Sequence, residues 1–316
     1  MKRKVPSKPI IIDTDTGVDD ALALILALRS PELSVKVITT VAGNVEVEKC
    51  TTNVHRVLSW LHLPSYPIVA TGAKKPLKRA LTTAPEVHGK DGLGNLRGGT
   101  LPKQSSARAV PTILSLAKEF TNRLTIVAIG PLTNIAHALL TQPTILRRVK
   151  RIISMGGAFR VPGNTGPVAE FNYFVDPDAA HLVLNSGLPI TVVPLDVTEQ
   201  LVLMRRELEY RACRRASHLA TMIERFTKSY MKYHERTEGF FGGYLHDPLA
   251  IAVAIDPSLV TTRRVNVQIE TKGVLTRGMS VADFRREHQS ARRAVDVAVK
   301  VDRERFFRLF HERIWM

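Results

Sequence analysis

Four carboxylates within eight positions constrain this chain more than any other feature. In Pro9-Ile10-Ile11-Ile12-Asp13-Thr14-Asp15-Thr16-Gly17-Val18-Asp19-Asp20, three β-branched residues run straight into the acids, and Ala21 to Leu28 then reads A-L-A-L-I-L-A-L. The pattern predicts a short buried strand, a Gly-containing turn and a helix. Acids crowded at such a turn repel one another. One can cap the helix, because Asp is a good N-cap and an anion suits a helix N-terminus. Capping accounts for one carboxylate or two, but not four. The repulsion falls if a divalent cation sits among them, and all-oxygen ligation points to Ca²⁺ or Mg²⁺ rather than Zn²⁺.

The rest of the chain alternates in the same way. Residues 10–13, 35–41, 68–70, 124–129, 151–155, 190–193, 265–269 and 295–301 read as strands. Residues 21–28, 45–61, 109–120, 133–140, 178–185 and 208–233 read as helices. This predicts an α/β chain, a single domain over residues 1–316 with a mainly parallel open sheet covered by helices on both faces. Residues 1–8 are expected to form an N-terminal extension, and 71–106 a long loop of functional interest. Several strands end in small or polar residues: Ala42-Gly43-Asn44, Ile129-Gly130-Pro131 and Met155-Gly156-Gly157. In a doubly wound sheet such ends share one edge, where ligands bind.

Composition removes other classes. The net charge is +16, yet Lys and Arg are scattered in short clusters, aromatics make up 6%, and no nucleic-acid motif is present. No specific nucleic-acid role is expected, because charge alone speaks to solubility and nonspecific contacts. The longest apolar run, Ala21 to Leu28, is too short to span a bilayer. The basic N-terminus leads into only three apolar residues, so no signal peptide, no membrane partner and a cytoplasmic location are expected. Cys50 and Cys213 have no paired-ligand spacing, which excludes a disulfide framework and argues against a thiolate metal site.

Three further stretches carry chemistry and have simpler explanations beside it. Leu245-His246-Asp247-Pro248 is also an ordinary helix start, with Asp as cap and Pro in the first turn, and Asp-Pro recurs at 176–177 and 256–257. His246 adds a group able to give up a proton near neutral pH. The segment Gly163 to Asn172 contains Asn164, Glu170 and Asn172, a set suited to sugar hydroxyls, although Asn-Thr-Gly is also turn chemistry. His88 lies in the long loop, where a lone histidine is more often a solvated surface residue.

Together these stretches resemble the calcium-dependent, inosine–uridine-preferring nucleoside hydrolases. The resemblance rests on D-T-D-T-G-V-D-D at 13–20, V-A-G-N at 41–44, H-G-K-D-G-L at 88–93 and A-I-G-P-L-T-N at 128–134. It continues through S-M-G-G at 154–157, P-V-A-E-F-N at 167–172, L-H-D-P at 245–248 and T-R-G-M-S-V-A-D at 276–283. It implies a nucleoside hydrolase fold and cleavage of the N-glycosidic bond of ribonucleosides. It further implies that Asp15, Asp20, Asp247 and the carbonyl of Ile129 hold Ca²⁺, which also takes the ribose 2′- and 3′-hydroxyls and the attacking water. Asp15 would be the general base and His246 the leaving-group acid, with His88 a second candidate near the base. Asp19, Asn44, Met155, Asn164, Glu170 and Asn172 would contact the substrate, and Asp13 would support the loop from behind. The resemblance also implies a homodimer or homotetramer.

Two positions depart from that family's pattern: Thr16 stands where Pro is usual, and Gly166 where Ser or Thr is common. Tyr230, Tyr233, Phe240, Phe241 and Tyr244 could stack on a nucleobase, although at helical spacing Tyr230 and Tyr233 suit a core equally. Having both His88 and His246 points to pyrimidine or inosine/uridine preference over purines alone. Two rivals stay open. Asp13-Thr14-Asp15-Thr16 mimics the D-x-D-x-T segment of the haloacid dehalogenase-type phosphatases, with Asp13 as nucleophile and Mg²⁺ as the metal. A Ca²⁺-dependent nucleoside-binding protein without turnover is the non-enzymatic alternative.

Overall fold

In the computed structural model, which describes residues 7–96, 106–215, 217–285 and 294–315, the β-branched run forms strand β1 (Lys8–Thr14). Ile10 and Ile12 join one hydrophobic core and Ile11 the other, as the two-residue period of a strand requires. Around β1 lie β2 (Leu33–Thr40), β3 (Ile68–Thr71), β4 (Thr125–Ala128), β5 (Arg151–Met155) and β6 (Ile190–Val193). The sheet runs β3-β2-β1-β4-β5-β6, followed by strand Val295–Val301 and then Val260–Val265. All neighbours are parallel except the last pair. With a core on each face, this is the α/β architecture anticipated. The order reverses between β1 and β4, which opens a crevice beyond their carboxyl ends.

Two helices aim the chemistry at that crevice. Helix α1 (Val18–Leu28) is buried from Val18 to Ala27, and the helix His246–Ile255 is buried along its whole length. A helix apolar all round belongs inside a protein, and these two pack against each other. Each fully buried Leu or Ile contributes about 1.5–3 kcal/mol. Their mutual packing therefore holds Asp19 and Asp20, in one first turn, close to Asp247 in the other.

The structure differs from the sequence expectation in several places. The strand expected over 265–269 is two: Val260–Val265 joins the main sheet, and Val267–Ile269 pairs with Ser280–Ala282 in a separate hairpin. The helix expected over 208–233 is also two, Arg205–Arg215 and His218–Glu238. Ser217 caps the second, its Oγ accepting from Ala220 N at 3.1 Å. The expected loop 71–106 contains a helical turn, Pro85–His88, while residues 97–105 lie outside the described residues. Lys8 belongs to β1 rather than to an extension, and its Nζ donates to the carbonyls of Ala254 and Ile255; residues 1–6 lie outside the described residues. A final helix, Arg303–Ile314, was not anticipated; Asp302 caps it and Phe306, Phe310 and Ile314 bury one face. No described helix is long and apolar enough to cross a membrane.

Candidate active site

Asp15, Asp19, Asp20 and Asp247 meet at the carboxyl edge of β1 and β4, and all four are buried. Carboxylate oxygens of Asp19, Asp20 and Asp247 lie within 4.8 Å of one another. Asp20 is the structural anchor of the turn. Its Oδ2 accepts from Gly17 N at 2.8 Å and Asn44 Nδ2 at 3.1 Å, and its Oδ1 accepts from Thr14 Oγ1 at 2.5 Å. Asp15 Oδ2 accepts from Asn44 N at 2.8 Å, while Cys50 Sγ donates to the Asp15 carbonyl. The neighbouring backbone is pressed so close that a Cβ on Gly43 would collide with Asp15 Oδ2. Only glycine lets the β2 edge approach this carboxylate.

The electrostatics are those of an unneutralised cluster. Burial, followed by repulsion from Asp20, pushes Asp15 well above the usual carboxylate range and Asp19 up to about 8. Burial and then Asp19 raise Asp247 in the same direction. Among the described residues, no Lys or Arg stands among the largest influences on the four acids. Several buried anions without a cationic partner are costly unless a metal compensates them. An all-oxygen donor set of this charge fits a hard dication, and the Ile129 carbonyl borders the same cavity.

That cavity has a volume of about 470 Å³, within the roughly 300–1,000 Å³ typical of small-molecule sites. Asp19, Asn44, His88, Ile129, Met155, Asn164, Glu170, Asn172, His246 and Asp247 all line it. The structure therefore brings together nearly every residue singled out in the sequence. Asp13 stands apart: it is fully buried behind the cavity, where Thr39 Oγ1 and Asn134 Nδ2 donate to its Oδ1. Burial raises it to about 6. A nucleophile must reach its substrate, so the position of Asp13 speaks against the phosphatase reading.

Several polar groups turn out to be partly committed. Glu170 caps the short helix Phe171–Val175, accepting from the backbone N–H groups of Gly157, Asn172 and Tyr173; burial nevertheless lifts it to about 7. Asn172 Nδ2 donates to the carbonyls of Ile129 and Met155, which leaves its Oδ1 for a ligand. Asn164 Oδ1 accepts from Phe171 N, which leaves its amide N–H groups.

The two histidines are held differently. Val18 N donates to His88 Nδ1 at 3.1 Å. A backbone N–H can only donate, so Nδ1 is bare and the ring proton sits on Nε2. His246 Nδ1 lies 2.7 Å from Thr198 Oγ1, a hydroxyl able to serve either way. Burial, followed by repulsion from His234, lowers both rings to about 3, which favours a neutral imidazole at each.

Of the aromatic candidates, Tyr230, Tyr233 and Tyr244 line the cavity. Tyr230 is also part of the core. Phe240 instead stacks on His234, and Phe241 packs against the core. Sequence reasoning missed Thr198, Glu199, His234 and Glu238. The last two were within reach: Tyr230, His234 and Glu238 recur every four residues, one face of the helix His218–Glu238.

The inosine-uridine preferring nucleoside hydrolase profile matches residues 10–308. The chain belongs to this family. The pyrimidine-specific ribonucleoside hydrolase RihA of Salmonella enteritidis is 43% identical over 312 residues, covering 97% of this chain and 98% of the relative. RihA of an Enterobacter strain is 41% identical over the same length. Among solved structures, a plant nucleoside hydrolase, PpNRh1, superposes with a TM-score of 0.92 at 36% identity, covering 98% of this chain and 99% of its own. A purine-preferring ribonucleoside hydrolase from Gardnerella vaginalis gives 0.91 at 36% identity, covering 97% of this chain and 98% of its own. The family hydrolyses nucleosides, and this chain is an enzyme of that class.

Proposed function

We propose that this chain hydrolyses the N-glycosidic bond of pyrimidine ribonucleosides with Ca²⁺ as its cofactor. The observation that carries the reading is four buried carboxylates, without an ion-pair partner among the described residues, two of which (Asp19 and Asp247) line a cavity together with Asn44, Asn164, Glu170 and Asn172. Asp15, Asp20, Asp247 and the Ile129 carbonyl would hold the ion, with Asp19 beside them. When bound, it supplies positive charge and Lewis acidity among oxygen ligands.

The protein's own groups account for the rest. Asp15 takes a proton from the attacking water, a step typically worth about 10²–10⁴-fold. The water oxygen bonds to C1′ while the glycosidic bond breaks and its electron pair leaves with the base. Asp19, Asn44, Asn164, Glu170 and Asn172 hold the ribose hydroxyls, with Met155 packed beside them. The carboxylates and amide oxygens among them favour positive charge developing on the sugar. His246 and His88 donate N–H hydrogen bonds to the departing base; His88 is fixed for this by its Val18 contact. A pyrimidine suits such donors because its O2 carbonyl adjoins the glycosidic nitrogen. The similarity to RihA supports the same preference.

The test is release of free ribose from uridine, cytidine and inosine, with and without chelator. Ribose formed fastest from the pyrimidines, and abolished by chelation, is expected. Nitrophenol release from p-nitrophenyl phosphate, or nucleoside binding without ribose, would contradict the reading.

A further inference from the structure

We propose that Glu199 and Glu238 are specificity-determining residues that make this hydrolase prefer an amino-bearing pyrimidine, cytidine, over its oxo counterpart, uridine. This rests on the hydrolase reading and deepens it.

The two acids sit one step outward from the catalytic groups along two separate segments. Glu199 follows Thr198, the partner of His246. Glu238 ends the helix His218–Glu238 and accepts from Tyr244 Oη at 2.6 Å. The Tyr244 ring packs beside that of His246, with centroids 5.2 Å apart. Both glutamates line the cavity. They are close enough to repel: burial, followed by Glu238 and Asp196, raises Glu199 to about 7. Asp196 already accepts from Phe159 N and Arg160 N, whereas no described residue hydrogen-bonds to the Glu199 carboxylate. His234 Nε2 is 3.8 Å from Glu238, and burial keeps that ring's pKa low.

The charge around them sharpens the point. The chain carries +16, yet among the described residues no Lys or Arg lines this cavity, whereas Asp19, Glu86, Glu170, Glu199, Glu238 and Asp247 do. The end remote from the ribose-binding acids is therefore rich in acceptors and poor in charged donors. In a pyrimidine nucleoside, C4 lies opposite the glycosidic nitrogen, so its substituent points to that remote end. Cytosine presents an N–H₂ donor there and uracil a carbonyl acceptor. An ionised carboxylate accepts from the first and repels the second, a condition Glu199 meets above neutral pH. A buried site built to pair one of two such groups discriminates strongly against the other.

The experiment measures kcat/KM for cytidine and uridine in the wild-type enzyme, Glu199→Gln and Glu238→Gln. It adds Kd for both nucleosides by calorimetry in Asp15→Asn, alone and combined with each glutamate substitution. The wild type is expected to favour cytidine by roughly ten- to hundredfold, the range set by a hydrogen bond to a charged group. Glu199→Gln should reduce that ratio at least about tenfold, in turnover and in binding, and Glu238→Gln should move it in the same direction. A wild-type preference for uridine, or a ratio unmoved in both variants, would overturn the inference. If nucleosides bind but are not hydrolysed, the hydrolase reading fails while the binding ratio still decides the role of these glutamates.

Discussion

Replacing Asp15 with Asn separates catalysis from folding more cleanly than any other single change. The substitution keeps the shape of the side chain and removes its charge and basicity. On the folding side, the bond from Asn44 N to Asp15 Oδ2, at 2.8 Å, passes to an amide oxygen. Weakening a hydrogen bond of this kind costs about 1 kcal/mol. Against that loss, the change lifts the burial cost of one carboxylate and its repulsion with Asp20 and Asp19. The two effects oppose each other, so the net change should stay near 1 kcal/mol in either direction, or about 2–4 °C in Tm for a protein of this size. On the catalytic side, the general base disappears, and kcat should fall by about 10²–10⁴-fold, roughly 3–5 kcal/mol of barrier. The assay is ribose release from uridine beside thermal unfolding of the same preparations. A Tm collapse matching the loss of rate, or a kcat within tenfold of wild type, would refute the assignment of Asp15.

Two other substitutions test neighbouring parts of the site. His246→Ala should slow uridine by about 10²-fold or more and spare p-nitrophenyl riboside, whose leaving group needs no help; equal slowing of both would remove His246 from the leaving-group role. Gly43→Ala should abolish ribose release while leaving far-ultraviolet circular dichroism unchanged, because its Cβ drives into Asp15 Oδ2; a fully active variant would show that the close approach of β2 to Asp15 is dispensable.

Much of this was legible in the sequence because the informative features were local. The β-branched run, the acid-rich turn and the apolar helix after it dictate β1 and α1 without help from the rest of the chain. The sheet's carboxyl edge was equally legible, since Asn44, Gly130 and Gly156 each follow a strand. What escaped depends on contacts between segments distant in sequence. Nothing near His88 shows that its Nδ1 meets Val18 N, a bond made across seventy positions. The low pKa of His246 follows from burial by several elements, which a local reading cannot foresee. Glu170, read as a sugar ligand, also caps a helix through two backbone donors and accepts a third from Gly157. The break before Ser217 escaped because residues 208–233 read as one continuous helical pattern.

The proposed catalysis depends on a dication seated among Asp15, Asp20 and Asp247. Calorimetric titration of Ca²⁺ into chelator-stripped enzyme tests this directly, with Asp20→Asn and Asp247→Asn measured beside the wild type. The wild type should take up one ion per chain, and each variant should bind it at least about tenfold more weakly, some 1.4 kcal/mol. Absence of binding at millimolar Ca²⁺, or equal affinity in all three proteins, would contradict it.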